Sequence, residues 1–106
     1  MAKYLFQGNY VGEGIKGLLK EGGSSRRAAL EKAALSLGGS VEAFYYAFGN
    51  DDFVAIVDLP SNVDASALSL TANATAAVKS RMTVLITPEE VDQATKRTVK
   101  FRPPGK

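Results

Sequence analysis

Apolar side chains recur along the chain with two periods, and the change from one period to the other marks out its elements. Between Tyr4 and Tyr10 the aromatic residues Tyr4, Phe6 and Tyr10 are interleaved with Gln7 and Asn9, the period of two that predicts a strand. Glycines at 12, 14, 17, 22 and 23 punctuate the next stretch of chain. Ile15, Leu18 and Leu19 keep helical spacing between them, which predicts one or two short turns. Ser24 or Ser25 is the expected N-cap of a longer helix in which Leu30, Ala33, Ala34 and Leu37 form one apolar stripe, and Gly38-Gly39 supplies its left-handed stop. Val41–Phe48 and Phe53–Leu59 are strand-forming runs joined by the turn residues Gly49-Asn50-Asp51-Asp52, a predicted hairpin. Pro60-Ser61-Asn62 opens an alanine-rich helix over residues 62–78, whose small side chains predict close approach to whatever it covers. Arg81–Thr87 reads as the fourth strand. Thr87-Pro88-Glu89-Glu90 then starts a short last helix with Thr as cap, Pro at the first helical position and Glu at the third. Pro103-Pro104-Gly105 ends regular structure.

The order is β-α-β-β-α-β with a terminal helix, an α+β, ferredoxin-like plan with a four-stranded antiparallel sheet and both long helices on one face. Residues 1–95 form one expected domain, and 96–106 a basic C-terminal tail. Helices cover one face of such a sheet, so the other should read polar in a monomer. It does not. Phe53, Ala55, Val57 and Leu59 oppose Val54 and Ile56, and Thr83 and Leu85 oppose Met82, Val84 and Ile86. In the second strand Val41, Ala43, Tyr45 and Ala47 oppose Phe44, Tyr46 and Phe48. An exposed apolar face of several hundred Å² is more than a monomer usually tolerates, and the expected cover is a second copy packed sheet to sheet about a two-fold axis.

Composition removes several classes of chemistry. With no cysteine and no histidine among 106 residues, disulfides, thiolate nucleophiles, Cys/His zinc sites and a Ser-His-Asp triad within one chain are excluded. No cofactor or metal is expected, and acid–base work at neutral pH would fall on a carboxylate, Lys or Tyr of shifted pKa. The net charge of +2 hides an asymmetry: Lys96, Arg97, Lys100, Arg102 and Lys106 sit in the last eleven residues without an acid. A solvated terminus accounts for them, and nucleic acid is not the expected partner because no aromatic-basic pattern extends into the body. Val99 and Phe101 alternate with Lys100, which suits lying along a partner's sheet edge. No apolar run reaches the length of a membrane span, and Met1-Ala2-Lys3-Tyr4 lacks a signal peptide's apolar core, so the cytoplasm is the expected location.

Gly12-x-Gly14-x-x-Gly17 spells a dinucleotide fingerprint, but Gly22-Gly23 interrupts the helix that should receive a pyrophosphate, and no acid ends the next strand at the required spacing. A tight strand-to-helix passage explains these glycines better. Asn50, Asp51 and Asp52 offer few oxygens for a hard cation and suit a turn. Ser25-Arg26-Arg27 has the makings of an anion site at a helix N-terminus, although exposed arginines on the solvent face are the commoner case, and Asn73-Ala74-Thr75 is a glycosylation acceptor by spelling alone. The strand residues Gln7, Asn9, Tyr46, Asp58 and Arg81 are the candidate ligand-binding set, on the expectation that a few polar groups converge in an apolar enclosure. An Asp facing an Arg across strands equally suits an ion pair at a subunit seam.

With these elements in place, the sequence resembles the GYD-domain family. The matching stretches are Gly12-Glu13-Gly14-Ile15-Lys16-Gly17-Leu18, Ser25-Arg26-Arg27-Ala28-Ala29 with Glu31-Lys32, Leu37-Gly38-Gly39, Glu42-Ala43-Phe44-Tyr45, Asp58-Leu59-Pro60 and Thr87-Pro88-Glu89-Glu90-Val91. The family's Gly-x-Tyr-Asp signature falls on Gly49-Asn50-Asp51-Asp52, with Asp51 where tyrosine is expected. The resemblance implies a dimeric α/β-barrel form of the ferredoxin-like fold and supplies no function. The expected function is therefore a homodimer, or higher homo-oligomer, binding a small apolar or aromatic molecule at the sheet. The alternative is a cofactor-independent monooxygenase or isomerase of the dimeric barrel type, with a tyrosine or Asn9 positioning the substrate.

Overall fold

The alternating run at the start of the chain forms strand β1, Ala2–Tyr10, which occupies the interior of the sheet. The computed structural model describes all 106 residues. After β1 come α1 (Glu13–Glu21), α2 (Gly23–Ser36), β2 (Ser40–Tyr46), β3 (Phe53–Leu59), α3 (Asn62–Ala74), β4 (Val78–Leu85) and α4 (Pro88–Thr95). The sheet order is β2-β3-β1-β4 and every pairing is antiparallel, which is the ferredoxin-like arrangement.

The β1–α1 passage confirms the local reading of the glycines. Gly12 adopts φ +50°, and a β-carbon on Gly14 would come within 1.9 Å of the Ala77 carbonyl oxygen, to which Val11 N–H donates at 2.9 Å. Gly14→Ala should cost about 1–3 kcal/mol through overpacking, read as a lower melting temperature; an unchanged melt would contradict the close approach. The N-cap of α2 is a correction. It is Gly22, at φ +85°, and Ser24 and Ser25 lie inside the first turn with no capping hydrogen bond. Helices α1 and α2 are separated by that one residue, so the backbone turns on glycine and leaves no position for a side-chain cap. The stop is as read: Gly38 has φ +82°, Gly38 N–H donates to Leu35 O and Gly39 N–H to Ala34 O, a Schellman motif.

Ser61 caps α3, and Thr87 with Glu90 forms a complete capping box on α4 at 3.1 and 2.9 Å. Strand β4 begins at Val78, three residues before the expected start, because Val78, Lys79 and Ser80 pair with Tyr10, Asn9 and Gly8 of the long β1. Helix α3 correspondingly ends at Ala74. Asn73 closes that corner by accepting from Ser80 N–H (2.8 Å) and Oγ (2.9 Å), so its amide is already engaged.

The core lies on the helix-covered side of the sheet. Tyr4, Phe6 and Tyr10 of β1 and Phe53, Ala55, Val57 and Leu59 of β3 meet Ala34, Ala65 and Leu68 of the helices. Strand β2 departs from the expected phase. The register shifts between Val41 and Ala43, so Val41 pairs with Val57 on the helix side, whereas Ala43 and Tyr45 pair with Ile56 and Val54 on the open side. An extra residue at Glu42 reverses the alternation, as a β-bulge does. No helix of the protein is long and apolar enough to cross a membrane.

Candidate functional site

Helix α2 rests over β2 and α3 over β4, so the two diverge above the middle strands. Small residues face the gap: Ala29 and Ala33 from α2, and Ala72 from α3. The result is a cavity of about 190 Å³, lined also by Phe6, Tyr10, Phe44 and Phe53 from the sheet and by Leu30, Leu68 and Val78. Phe53 is the centre of its floor. Its ring meets Phe6 edge-on at 5.3 Å, Tyr10 at 5.4 Å and Phe44 stacked at 6.1 Å. An apolar cavity of about 150 Å³ accepts benzene, so this volume suits a single ring with a small substituent. A larger hollow of about 510 Å³ lies between α3 and β4, but it is an open trough; of its polar lining residues Asn62, Ser66 and Ser69, Asn62 already accepts from Tyr4 Oη at 2.6 Å.

Exposed or partly exposed lining residues mark the mouth of the cavity: Arg26 on α2, and Thr71 and Thr75 at the α3 side. Beside Arg26 stand two tyrosines. Tyr46 Oη donates to the Gly23 carbonyl at 3.0 Å, at the start of α2, and both Tyr46 and Arg26 act on the Tyr10 phenol. Burial, reinforced by Tyr46 and opposed by Arg26, pushes the Tyr10 phenol up to about 12. It is therefore a neutral hydrogen-bond donor at neutral pH, next to a fixed positive charge. Arg26 is held by Glu21 at only 3.5 Å, which leaves its guanidinium available to an anion.

The raised Tyr10 value has a sign. Between an unfolded value of 10 and a folded value of about 12, the unfolded chain releases the phenolic proton first. Stability is thus unaffected by this group below pH 10 and falls as pH climbs toward 12. Tyrosinate absorbance should show a late transition that Tyr10→Phe removes; its persistence in the variant would contradict this environment.

The five residues singled out from sequence do not form one cluster. Gln7, Asn9, Asp58 and Arg81 lie on the open side of the sheet, and Tyr46 lies on the helix side. Gln7 and Arg81 are directly opposed, and with the Gln7 amide turned so that its oxygen faces Arg81, that oxygen accepts from Arg81 Nε at 3.2 Å and Nη2 at 2.6 Å. Arg81 also donates two parallel bonds to Asp51, at 3.0 and 2.9 Å, and this carboxylate raises its already high pKa. Asn9 sits one step further along the same face, opposite Lys79. Asp58 belongs to the other end, where Lys3 donates to it at 2.8 Å and to Glu42. Those two bonds raise the Lys3 pKa, Asp58 contributing most. Between the two polar ends run Leu5, Val54, Ile56 and Ala43, an apolar band bordered by Thr83 and with charged margins.

The position where the family signature carries tyrosine is thus taken by a residue that ties the hairpin turn to β4. Its neighbour Asp52 accepts from Tyr10 N–H at 2.9 Å. Sequence reading passed over the cavity itself. Its one visible trace was Arg26, read with Arg27 as an exposed arginine first and an anion site at a helix start only second; the alanines opposite gave no sign of a gap rather than a close contact.

Searches of curated proteins and of solved structures returned no match. The GYD domain matches residues 4–95, from the first buried aromatic residue of β1 to the last residue of α4, and leaves the basic tail outside. A match over that span, on a chain with this sheet order, places it: the chain belongs to the GYD-domain family.

Proposed function

We propose that this chain is a homodimeric binding domain that holds a small aromatic or apolar molecule, bearing an anionic end, between α2, α3 and the sheet. The observation that carries the reading is the aromatic-floored cavity of about 190 Å³ with Arg26 and the neutral Tyr10 phenol at one end. Binding sites of this kind are mostly apolar with a few polar groups that set orientation. Dimerisation rests on the open face, where an apolar band with polar margins has the anatomy of an interface. Binding is better supported than turnover. The titratable groups lining the cavity are Tyr10 and Arg26, and a phenol held near 12 is a poor general base at neutral pH.

Benzoate, toluene and benzylamine separate shape from charge. Benzoate should raise the melting temperature most and benzylamine least, because at equal concentration a ligand that binds only the folded state stabilises it more the tighter it binds. Arg26→Gln should weaken benzoate by about tenfold to a hundredfold, the worth of a charge-assisted hydrogen bond, and leave toluene unchanged. Equal effects of all three compounds, or none from any, would contradict the assignment.

A further inference from the structure

The C-terminal arm stands away from its own fold. Residues 86–106 are exposed throughout, α4 makes no substantial packing contact with another element, and the molecule extends 56 Å along one axis. Its radius of gyration is 16.8 Å, where a compact chain of this length has about 13 Å. Yet the arm is not built for water. Val91 (44% exposed), Val99 (76%) and Phe101 (74%) are apolar, and Ile86 (60%) stands at the root. Helix α4 has only eight residues, well short of what an isolated helix needs to persist.

Its charges are sorted along its length. Glu89, Glu90 and Asp92 lie in the first turns of α4, and Lys96, Arg97, Lys100, Arg102 and Lys106 follow its end. None of these eight makes an ion pair within the chain. Acids at the start and Lys96 at the end suit the helix dipole, but that accounts for neither Lys100, Arg102 and Lys106 nor the apolar residues between them. Within one chain the acidic and basic halves lie at opposite ends of the arm.

We infer that the arms of two copies pair antiparallel across the dimer two-fold, the acidic α4 of each lying along the basic tail of the other. A two-fold interface requires a surface complementary to itself, and a segment acidic in one half and basic in the other meets that requirement when it runs antiparallel to its twin. Crossing near Ala94 sets Glu89 and Asp92 of each protomer beside Arg97 and Lys100 of the other, with Val91, Val99 and Phe101 enclosed between them. The occupant of this surface is therefore a second copy of the chain. The inference rests on the proposed sheet-to-sheet dimer and adds a second, separable contact to it.

Two charge-reversed full-length chains test it, and both leave the Thr87–Glu90 cap intact. One carries Glu89→Lys and Asp92→Lys, the other Arg97→Glu and Lys100→Glu. In sedimentation equilibrium each alone should self-associate about tenfold more weakly than wild type, and an equimolar mixture should recover wild-type affinity as a heterodimer. The chain carrying all four substitutions should recover it too. A chain ending at residue 87 should lose at least as much affinity and keep its monomer fold, since the removed residues make no substantial contact with the rest of it.

Reversed chains that associate as wild type, or a mixture that recovers nothing, would overturn the inference while a dimer through the open face stood. A wild-type chain monomeric at every concentration would overturn both. Reversal that weakens binding to duplex DNA and leaves self-association unchanged would overturn it in favour of a nucleic-acid arm.

Discussion

Truncating Phe53 to alanine is expected to cost about 3–5 kcal/mol, a large part of the roughly 5–15 kcal/mol that holds a domain folded. Phe53 is 3% exposed and its ring is shared by three aromatic partners, Phe6, Tyr10 and Phe44. Removing it takes the floor from the cavity, and the neighbours cannot close the space because β1 and β2 hold them in register on both sides of β3. Chemical denaturation should show the loss as a lower midpoint with an unchanged slope. The enlarged cavity should also accept added toluene, which recovers part of the lost stability. A cost below about 1 kcal/mol would mean that the aromatic cluster is not the centre of the fold.

The second large effect is on assembly. Ile56 lies between Leu5 and Ala43 in the middle of the open face. Ile56→Glu would bury an unpaired carboxylate in the proposed sheet-to-sheet contact, and such a charge costs several kcal/mol. Self-association should weaken by about a hundredfold or more, while the monomer, in which this side chain is only partly buried, keeps its fold. Sedimentation velocity and circular dichroism read the two quantities separately. A variant that still forms wild-type dimers would place the interface elsewhere on the molecule.

Much of the fold was legible because its determinants are local. The hairpin turn at Gly49–Asp52, the Schellman stop at Gly38-Gly39 and the capping box at Thr87 each depend on a few adjacent residues, and each stands where the sequence put it. Errors arose where a distant partner decides. Strand β4 starts early because β1 is long enough to pair with Val78–Ser80, and β2 changes phase because a bulge at Glu42 absorbs one residue. That second effect bears directly on the candidate site. Register is a property of two strands together, so a period-two reading of one strand cannot say whether Asp58 meets Arg81. It meets Lys3, four residues along β1 from the Gln7–Arg81 pair. Alanine is ambiguous in another way. At Ala65 a small side chain lets α3 sit tightly on the sheet, and at Ala72 it leaves open space; only the angle between helices distinguishes the two.

The cavity between α2 and α3 is the centre of this account, and native mass spectrometry of freshly purified protein tests it most directly. The expected species is two chains of 11.2 kDa carrying a small adduct, released on collisional heating and absent from Ala33→Phe, which fills the space. An adduct retained equally by that variant, or wild-type protein that emerges bare, would contradict it.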